Sequence, residues 1–290
     1  MNGFQNIRRK ALNYLKLIKS LQTLLLLMTG VAGFVSSQCP FIGWEVFVLF
    51  VLSLFLTISG TTVLNMVWDK DIDAHMQRTA HRPLPSGEIS IREGWFYGVI
   101  LMAIGLLIGF YLSFLYGLIL FAGFFIDFFI YTFWLKRTSS WSIVWGGISG
   151  GMPILAGRVL GAGQLDAIGI LLSLAIILWI PTHIMTFNIR YYKDYKKARI
   201  PTFASSYGLK VTRVIIALSA IASVLAFALG VILLGLVWTY LSVFIISAVL
   251  LISYSLYCIY KSTDKSNFIL FKAASLFMVS VMIVIIIGLG

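Results

Sequence analysis

Charge is scarce in this sequence, and negative charge is the scarcest. Only 11% of the 290 residues are charged, and Asp and Glu together number 10 against 22 Lys and Arg. Hydrophobic residues make up 60% of the chain, and the mean hydropathy is +0.98. This composition excludes a soluble globular domain and a disordered chain, and it indicates an integral membrane protein.

Cysteine is also nearly absent, with two residues in the whole chain. Two cysteines are too few for a disulfide framework, and the topology derived below puts Cys39 and Cys258 toward opposite sides of the membrane, so we predict two free thiols. No polar linker marks a second domain, and residues 1–290 are therefore predicted to form one domain. The first hydrophobic run is too long for a signal peptide and lacks a cleavage site, so it is predicted to stay as a span.

Long apolar runs are what the sequence has in abundance. They reach the roughly 20 residues that a membrane-spanning helix needs, and charged or turn-forming residues bound them. The predicted fold is all-α, a polytopic membrane protein with about nine spans. These spans lie near residues 16–36, 43–65, 94–113, 115–135, 143–162, 167–188, 213–235, 237–259 and 268–289.

Basic residues alternate between the two sides of this predicted bundle. They fall in the N-terminal segment and in the even-numbered connections, and of all 22 only Arg158 falls in an odd-numbered one. Because Lys and Arg accumulate in cytoplasmic loops, the N-terminus is predicted to be cytoplasmic and the C-terminus outside. The net charge of +12 then reflects basic residues that accumulate on the cytoplasmic side of the membrane. We predict contact with membrane lipid and none with nucleic acid.

Three of the ten acids, Asp69, Asp71 and Asp73, cluster where the second span ends. Asn65, Asp69 and Asp73 are spaced i, i+4, i+8, so on a continuing helix they share one stripe, with Asp71 roughly opposite. Hard oxygen ligands on one stripe suit a Mg²⁺ ion that is shared with substrate phosphates. A single acid here would more simply belong to a solvated collar at the membrane surface; several in register favour a site.

Other polar residues near the span ends point to the same chemistry. Arg78 and Arg82 follow the acids, and guanidinium groups complement a diphosphate with bidentate donors. A second polar turn with fewer acids, containing Lys193 and Asp194, follows the sixth span and partly resembles the first. Asp127 lies in the middle of the fourth span, where an unpaired carboxylate is costly, so we expect it to face a cavity or a neighbouring helix. The sequence assigns Asp127 no role.

These motifs resemble those of the UbiA superfamily of intramembrane prenyltransferases. The hallmark Asn-x-x-x-Asp-x-x-x-Asp is matched by Asn65, Asp69 and Asp73, and the longer run from Asp69 to Gly87 is most similar to the branch that farnesylates heme b. Further matches are Tyr131-Thr132, Leu135-Lys136-Arg137-Thr138, Gly146-Gly147 with Gly150 and Pro153, and Trp179-x-Pro181-x-His183.

The resemblance implies nine helices around a lateral, lipid-open cavity in the cell membrane, with the acidic motifs at its cytoplasmic mouth. It implies Mg²⁺ as cofactor, farnesyl diphosphate and heme b as substrates, and hand-over of product to other heme-pathway membrane proteins. The implied catalytic set is Asn65, Asp69 and Asp73; the implied metal ligands are Asp69, Asp73 and Asp194; the implied substrate contacts are Asp71, Arg78, Arg82, Lys136, Arg137, His183 and Lys193. For His183, a hydrogen bond within the helix bundle is an equal alternative to contact with heme.

The sequence departs from the family pattern at the second motif. The expected Asp-Asp-Tyr reads Lys193-Asp194-Tyr195, so a cation replaces one carboxylate and the number of metal ions stays open. The usual Pro-Pro-His-Phe-Trp reads Pro181-Thr182-His183-Ile184-Met185, and a Lys-Pro-Arg near the first span reads Lys19-Ser20-Leu21. These departures concern the acceptor more than the prenyl diphosphate.

Three alternatives remain at this stage. Quinone-precursor aromatics, other tetrapyrroles and glyceryl phosphate lipids are rival acceptors within prenyl transfer. A secondary transporter would also have many spans and a few intramembrane polar groups, but its motifs should lie near the membrane midplane. A non-catalytic heme-binding or assembly protein is the third alternative.

Overall fold

The computed structural model describes residues 3–38, 43–261 and 263–290, and all of its regular structure in these ranges is helical. The helices are α1 (Gly3–Leu17), α2 (Ser20–Ser36), α3 (Trp44–Trp68), α4 (Lys70–His75), α5 (Ile91–Leu112), α6 (Phe114–Phe125), α7 (Ser142–Ala162), α8 (Ala167–Arg190), α9 (Tyr192–Lys197), α10 (Phe203–Leu233), α11 (Trp238–Tyr260) and α12 (Asp264–Leu289). A π-helical segment, Ile126–Leu135, continues α6. The predicted all-α class is confirmed.

The protein is a polytopic membrane protein, and the first of its predicted spans is bent. Within the described ranges, eight helices are long and apolar enough to cross a membrane, α6 and the π-helical segment counting as one, and a bent pair makes up to nine. The pair is Arg8–Leu17 with Ser20–Ser36, at 49° to each other. Lys19 lies at the break in the left-handed region with φ 45°. The span predicted near residues 16–36 is therefore bent where Lys19 interrupts it, and hydropathy does not reveal such a bend.

Consecutive spans are neighbours, and the last returns to the first. Following the chain from α2 through α3, α5, α6, α7, α8, α10 and α11 to α12, each helix packs against the next, and α12 packs against α2. The membrane-spanning helices are therefore arranged in a ring around an interior. Contacts of α2 with α7 and of α8 with α12 cross this interior and close off part of it.

Glycines let α2 and α7 approach at backbone distance. A Cβ atom built on Gly157 would lie 1.9 Å from the carbonyl oxygen of Gly30, and one on Gly33 would lie 2.0 Å from the carbonyl oxygen of Ile154. Membrane helices associate through such close packing because lipid tails give apolar side chains no reason to prefer protein. Here the two backbones leave no room for a methyl group.

We expect Gly157→Ala to destabilise the protein by about 1–3 kcal/mol, the usual cost of overpacking a core. Helix propensity alone would favour Ala by about 1 kcal/mol, so any loss of stability reports the steric clash between α2 and α7. Gly147→Ala on the same helix is the matched control, because its Cβ would meet only ordinary contacts, the nearest at 3.6 Å. Thermal unfolding of both variants in detergent checks this; equal melting temperatures would contradict the close approach.

Arg158, the one basic residue predicted to lie on the opposite side from the others, is buried and neutralised. Its guanidinium group forms an ion pair of 2.6 Å with Asp166 and also donates to the backbone carbonyl of Ser36. Hydrogen bonds from Arg158 lower the pKa of Asp166, which caps the start of α8. Arg158 therefore joins α2, α7 and α8 and adds no free positive charge to that side.

Of the two cysteines, the structure describes Cys258 on α11. It is buried and free, with its Sγ 3.8 Å from the backbone carbonyl of Ser266. The predicted free thiol is confirmed there. Cys39 lies outside the described residues, so its state stays a prediction.

Candidate active site

The first acidic motif stays helical past the end of α3, which keeps its predicted stripe intact. The amide of Asp69 donates to the carbonyl of Asn65 at 2.9 Å, and that of Asp73 to the carbonyl of Asp69 at 2.8 Å. Asp69 and Asp73 are 6% and 5% exposed. The Asp71 side chain lies on the other face and is 62% exposed. The helical register thus separates two buried carboxylates from a solvated one.

Each acid of the motif has a basic partner from another segment. Asp69 pairs with Lys136, Asp73 with Arg82 at 2.7 Å, and Asp71 with Arg137 through two hydrogen bonds of 2.7 and 2.8 Å. The structure therefore brings together six of the residues singled out from the sequence. The bonds from Arg137 lower the pKa of Asp71.

Lys136 follows the π-helical segment and reaches the buried face of the motif. Burial by itself would lower its pKa, but Asp69 together with Tyr131 and Tyr195 outweighs burial and holds the pKa above the ordinary value. Lys136 is therefore cationic and adds a fixed positive charge beside Asp69. This charge can attract a diphosphate once one is present.

Asp127, which the sequence left without a role, contacts the first motif. The Asn65 side-chain amide donates to Asp127 at 2.5 Å, and the Ser149 hydroxyl donates to its other oxygen at 3.1 Å. A carboxylate only accepts hydrogen bonds, so the nitrogen of the Asn65 amide must face it. The Asn65 oxygen is then held on the opposite side of the amide.

Two buried oxygens of the motif have no hydrogen-bond partner among the described residues. These are Oδ1 of Asn65 and Oδ1 of Asp69. Buried acceptors are almost always satisfied, so such an orphaned pair marks a place where a ligand binds. Carboxylate and amide oxygens are the ligand types that Mg²⁺ accepts.

The buried face of the motif lines a small cavity of about 150 Å³, which we call the polar chamber. Its charged lining consists of Lys19, Asp69, Asp73, Arg78, Arg82 and Lys136. Four cations and two carboxylates around one cavity suit a metal ion together with a diphosphate. Lys19 reaches the chamber because the helix breaks there.

A larger cavity of about 360 Å³, the apolar chamber, lies beside the polar one. Its lining is mostly apolar and includes Asp127, Tyr131 and His183. Gln22 borders both chambers. A smaller cavity of about 90 Å³ also borders both, sharing Tyr131 with the apolar chamber and Lys136 with the polar chamber. A polar head group in one chamber can therefore continue as an apolar chain in the other.

His183 is held in a stack of rings at the edge of the apolar chamber. Its ring lies 4.7 Å from that of Trp179 and 4.4 Å from that of Phe271, and Nδ1 lies 3.3 Å from the Ser275 hydroxyl. The structure thus has the bundle hydrogen bond that was one of the two readings of His183. Contact with heme stays a prediction.

Of the second motif, Tyr195 lines the polar chamber, whereas Lys193 and Asp194 do not. Lys193 and Asp194 lie on α9 and line a separate cavity, on the other side of Arg78. Within the described ranges, no group of three or more His, Cys, Asp or Glu side chains is placed to hold a metal ion. A metal role of Asp194 stays a prediction, and the two oxygens of the first motif are the stronger metal candidates.

Besides Lys19, sequence reasoning missed two polar residues of the site. Gln22 and Ser149 are uncharged and lie inside apolar runs, where a small polar side chain is not a distinctive signal. An amide in an apolar span could have drawn attention to Gln22, because buried polar groups in membrane helices find partners. For Ser149 there was no such signal, since serine can bond to its own helix.

Comparison with known proteins agrees with this fold. The model of the UbiA prenyltransferase family matches residues 26–281. The protoheme IX farnesyltransferase of Pyrobaculum islandicum is 34% identical over 268 residues, covering 90% of this chain and 94% of its own, and that of Archaeoglobus fulgidus is 39% identical over 197 residues, covering 68% and 69%.

Solved structures share the fold at low sequence identity. A structure described for digeranylgeranylglyceryl phosphate synthase superposes with a TM-score of 0.80 at 21% identity, covering 97% of this chain and 99% of that one. A UbiA homologue from Archaeoglobus fulgidus bound to GPP and Mg²⁺ gives 0.68 at 18% identity, covering 94% and 99%. With the family model spanning most of the sequence, the chain belongs to the UbiA prenyltransferase family.

Proposed function

We propose that the protein transfers a farnesyl group from farnesyl diphosphate to a vinyl group of heme b, giving heme O, in a reaction that requires Mg²⁺. The observation that carries this proposal is the buried pair Asp69 and Asp73 in a cationic chamber that borders an apolar one. The acceptor and the donor chain length follow the relatives named protoheme IX farnesyltransferase.

The residues of the polar chamber fit a magnesium ion. Asp69 and Asp73 would hold it, with the Asn65 oxygen beside them, since the unpartnered oxygens of Asn65 and Asp69 are free to accept. Two protein carboxylates are the usual number for Mg²⁺ that is shared with phosphates. When bound, the ion would neutralise charge on the departing diphosphate.

The chain's own residues would do the remaining work. Arg78, Arg82 and Lys136 bind and orient the diphosphate. As the bond to farnesyl C1 breaks, the ester oxygen that was bonded to C1 takes the electron pair. The apolar chamber keeps bulk water from the allylic cation. The vinyl group attacks C1, forming a carbon–carbon bond and moving the positive charge beside the porphyrin ring. Water adds there and loses a proton, which leaves a hydroxyethylfarnesyl substituent.

We further propose that the protein lies in the cell membrane with its N-terminus in the cytoplasm, its C-terminus outside and its polar chamber toward the cytoplasm. The distribution of Lys and Arg supports this orientation. Hand-over of heme O to other membrane proteins of the pathway belongs to the same proposal. A transporter is less well supported, because Asp69 and Asp73 lie where α3 ends and not at the middle of a span.

The experiment is product analysis with competing acceptors. Purified protein receives Mg²⁺, farnesyl diphosphate and heme b, a quinone-precursor aromatic or a glyceryl phosphate lipid, and products are weighed by mass spectrometry. We expect a heme product that is heavier by a farnesyl group plus a hydroxyl group. Absence of that product, with rapid transfer to another acceptor, would reject heme while leaving prenyl transfer intact. Heme binding without any transfer would favour a carrier.

A further inference from the structure

The separate cavity that Lys193 and Asp194 line opens beside the polar chamber, and the proposed reaction does not use it. It measures about 610 Å³, the largest of the cavities described here. Its cationic lining is Arg78, Arg190, Lys193 and Arg213, opposed by the carboxylates of Asp194 and Asp264. We call it the basic cavity. Arg78 lines both this cavity and the polar chamber, so the two are direct neighbours.

The cations of the basic cavity are not neutralised by ion pairs. Five ion pairs join the described residues, and none of them includes a cation of this cavity. The three acids of the first motif, by contrast, are all paired. The Nε atom of Arg213 is buried and has no hydrogen-bond partner in the described ranges. A concave surface with spare positive charge and an unsatisfied buried donor suits an anion.

Aromatic faces hold two of these guanidinium groups. Arg190 lies 3.8 Å from the centre of the Phe268 ring, and Arg78 lies 5.0 Å from that of Phe187. Stacking occupies the face of a guanidinium group and leaves its N–H donors, which lie in the plane, free for oxygen ligands. The two side chains are therefore positioned without using their hydrogen-bonding capacity.

A row of rings leads from the basic cavity toward the apolar chamber. Phe187, under Arg78, lies 5.6 Å from Phe271, which stacks on His183 at 4.4 Å, which stacks on Trp179 at 4.7 Å. His183 and Trp179 both line the apolar chamber. The row connects a guanidinium group to the wall of the apolar chamber through aromatic contacts, and aromatic walls beside cations suit a flat aromatic molecule that carries anionic groups at one edge.

We propose that the basic cavity binds the two propionate carboxylates of the tetrapyrrole acceptor. This inference rests on the proposed function, because it concerns the recognition of heme b. The propionates and the vinyl groups lie at opposite edges of the porphyrin, so carboxylates in the basic cavity direct a vinyl edge along the ring row toward the prenyl chain. Lys193, which replaces a family carboxylate, then serves the acceptor and not the diphosphate.

The test compares heme b with its dimethyl ester, in which both carboxylates are masked. Binding to full-length protein in nanodiscs is measured by absorption titration without farnesyl diphosphate. Wild type should bind heme b about tenfold more tightly than the ester. Lys193→Gln/Arg213→Gln should lose about tenfold for heme b and nothing for the ester.

The matched control is Lys197→Gln/Lys210→Gln, which removes two exposed charges from the same helices, α9 and α10, outside the basic cavity. It should bind both porphyrins like wild type. Lys193→Gln alone is a second variant, which should leave the fold intact because Lys193 is exposed. It should weaken binding of heme b but not of the ester, by a smaller factor than the double variant does. The KM for farnesyl diphosphate should stay unchanged in the Lys193 and Arg213 variants.

Three outcomes would overturn the inference. The first is an undiminished affinity for heme b in the Lys193 and Arg213 variants, and the second is an equal loss of affinity for the ester. The third is a raised KM for farnesyl diphosphate without weaker heme binding, which would assign the cavity to the diphosphate. If wild type forms the farnesylated heme while any of these holds, only this inference fails. If wild type forms no such product, the proposed function fails.

Discussion

Replacing Asp69 or Asp73 by asparagine is expected to lower kcat for prenyl transfer by about 100- to 1000-fold, which is the scale of losing a metal ligand that acts on developing charge. Asparagine keeps the size of the side chain and one oxygen, so the fold should survive. The negative charge that would hold Mg²⁺ is lost, and Lys136 or Arg82 is left without its carboxylate partner. The diphosphate would then leave without the ion that neutralises it.

Glu88→Gln is the control for these variants, since Glu88 is an exposed acid in the same connection between α4 and α5. Its kcat should match that of wild type within about twofold, because exposed charges that contact nothing contribute little. Rates are measured at saturating Mg²⁺ and substrates, with melting temperatures as a check on folding. Asp69→Asn or Asp73→Asn with more than about a tenth of wild-type kcat would contradict the assignment of these carboxylates.

Replacing Asp127 by alanine is expected to lower the rate by about 10- to 100-fold, although Asp127 is not a metal candidate itself. Partners that orient a ligand typically contribute this much. Asp127 fixes which end of the Asn65 amide faces it, and so keeps the Asn65 oxygen available at the other end. Without the carboxylate, the amide can turn and present its nitrogen to the chamber.

The informative measurement for Asp127→Ala is the Mg²⁺ concentration that gives half-maximal rate. It should rise, whereas a general loss of packing would lower the yield of folded protein and leave this midpoint in place. Asp127→Asn retains an oxygen that accepts from Asn65 and should restore most of the wild-type midpoint. Ser149→Ala, which removes only the second contact of Asp127, should have a small effect. A wild-type midpoint in Asp127→Ala would refute the orienting role.

The sequence was sufficient for features that depend on local spacing. Hydropathy located the spans because each is a long uninterrupted run, and the i, i+4, i+8 spacing placed Asp69 and Asp73 together because α4 continues the turn of α3. The outward direction of Asp71 followed from the same periodicity.

Features that depend on the backbone departing from the ordinary helix were beyond the sequence. The turn at Lys19 sends a lysine from an apparent membrane span into the polar chamber. The π-helical segment changes the angular position of each side chain that follows it, so a period of 3.6 could not direct Lys136 to Asp69. The separation of Asp194 from the first motif depends on long-range packing of α9, which no local pattern encodes.

The central claim is that one continuous site binds metal and diphosphate in the polar chamber and the isoprenoid chain in the apolar chamber. Its most direct test is a structure of the protein with Mn²⁺ and farnesyl S-thiolodiphosphate, an analogue that resists cleavage, using the anomalous signal of manganese to locate the ion. The account predicts the ion at Asp69 and Asp73, the diphosphate at Arg82 and Lys136, and the farnesyl chain beside Tyr131. An ion and head group bound instead at Lys193 and Asp194, with the polar chamber empty, would contradict it.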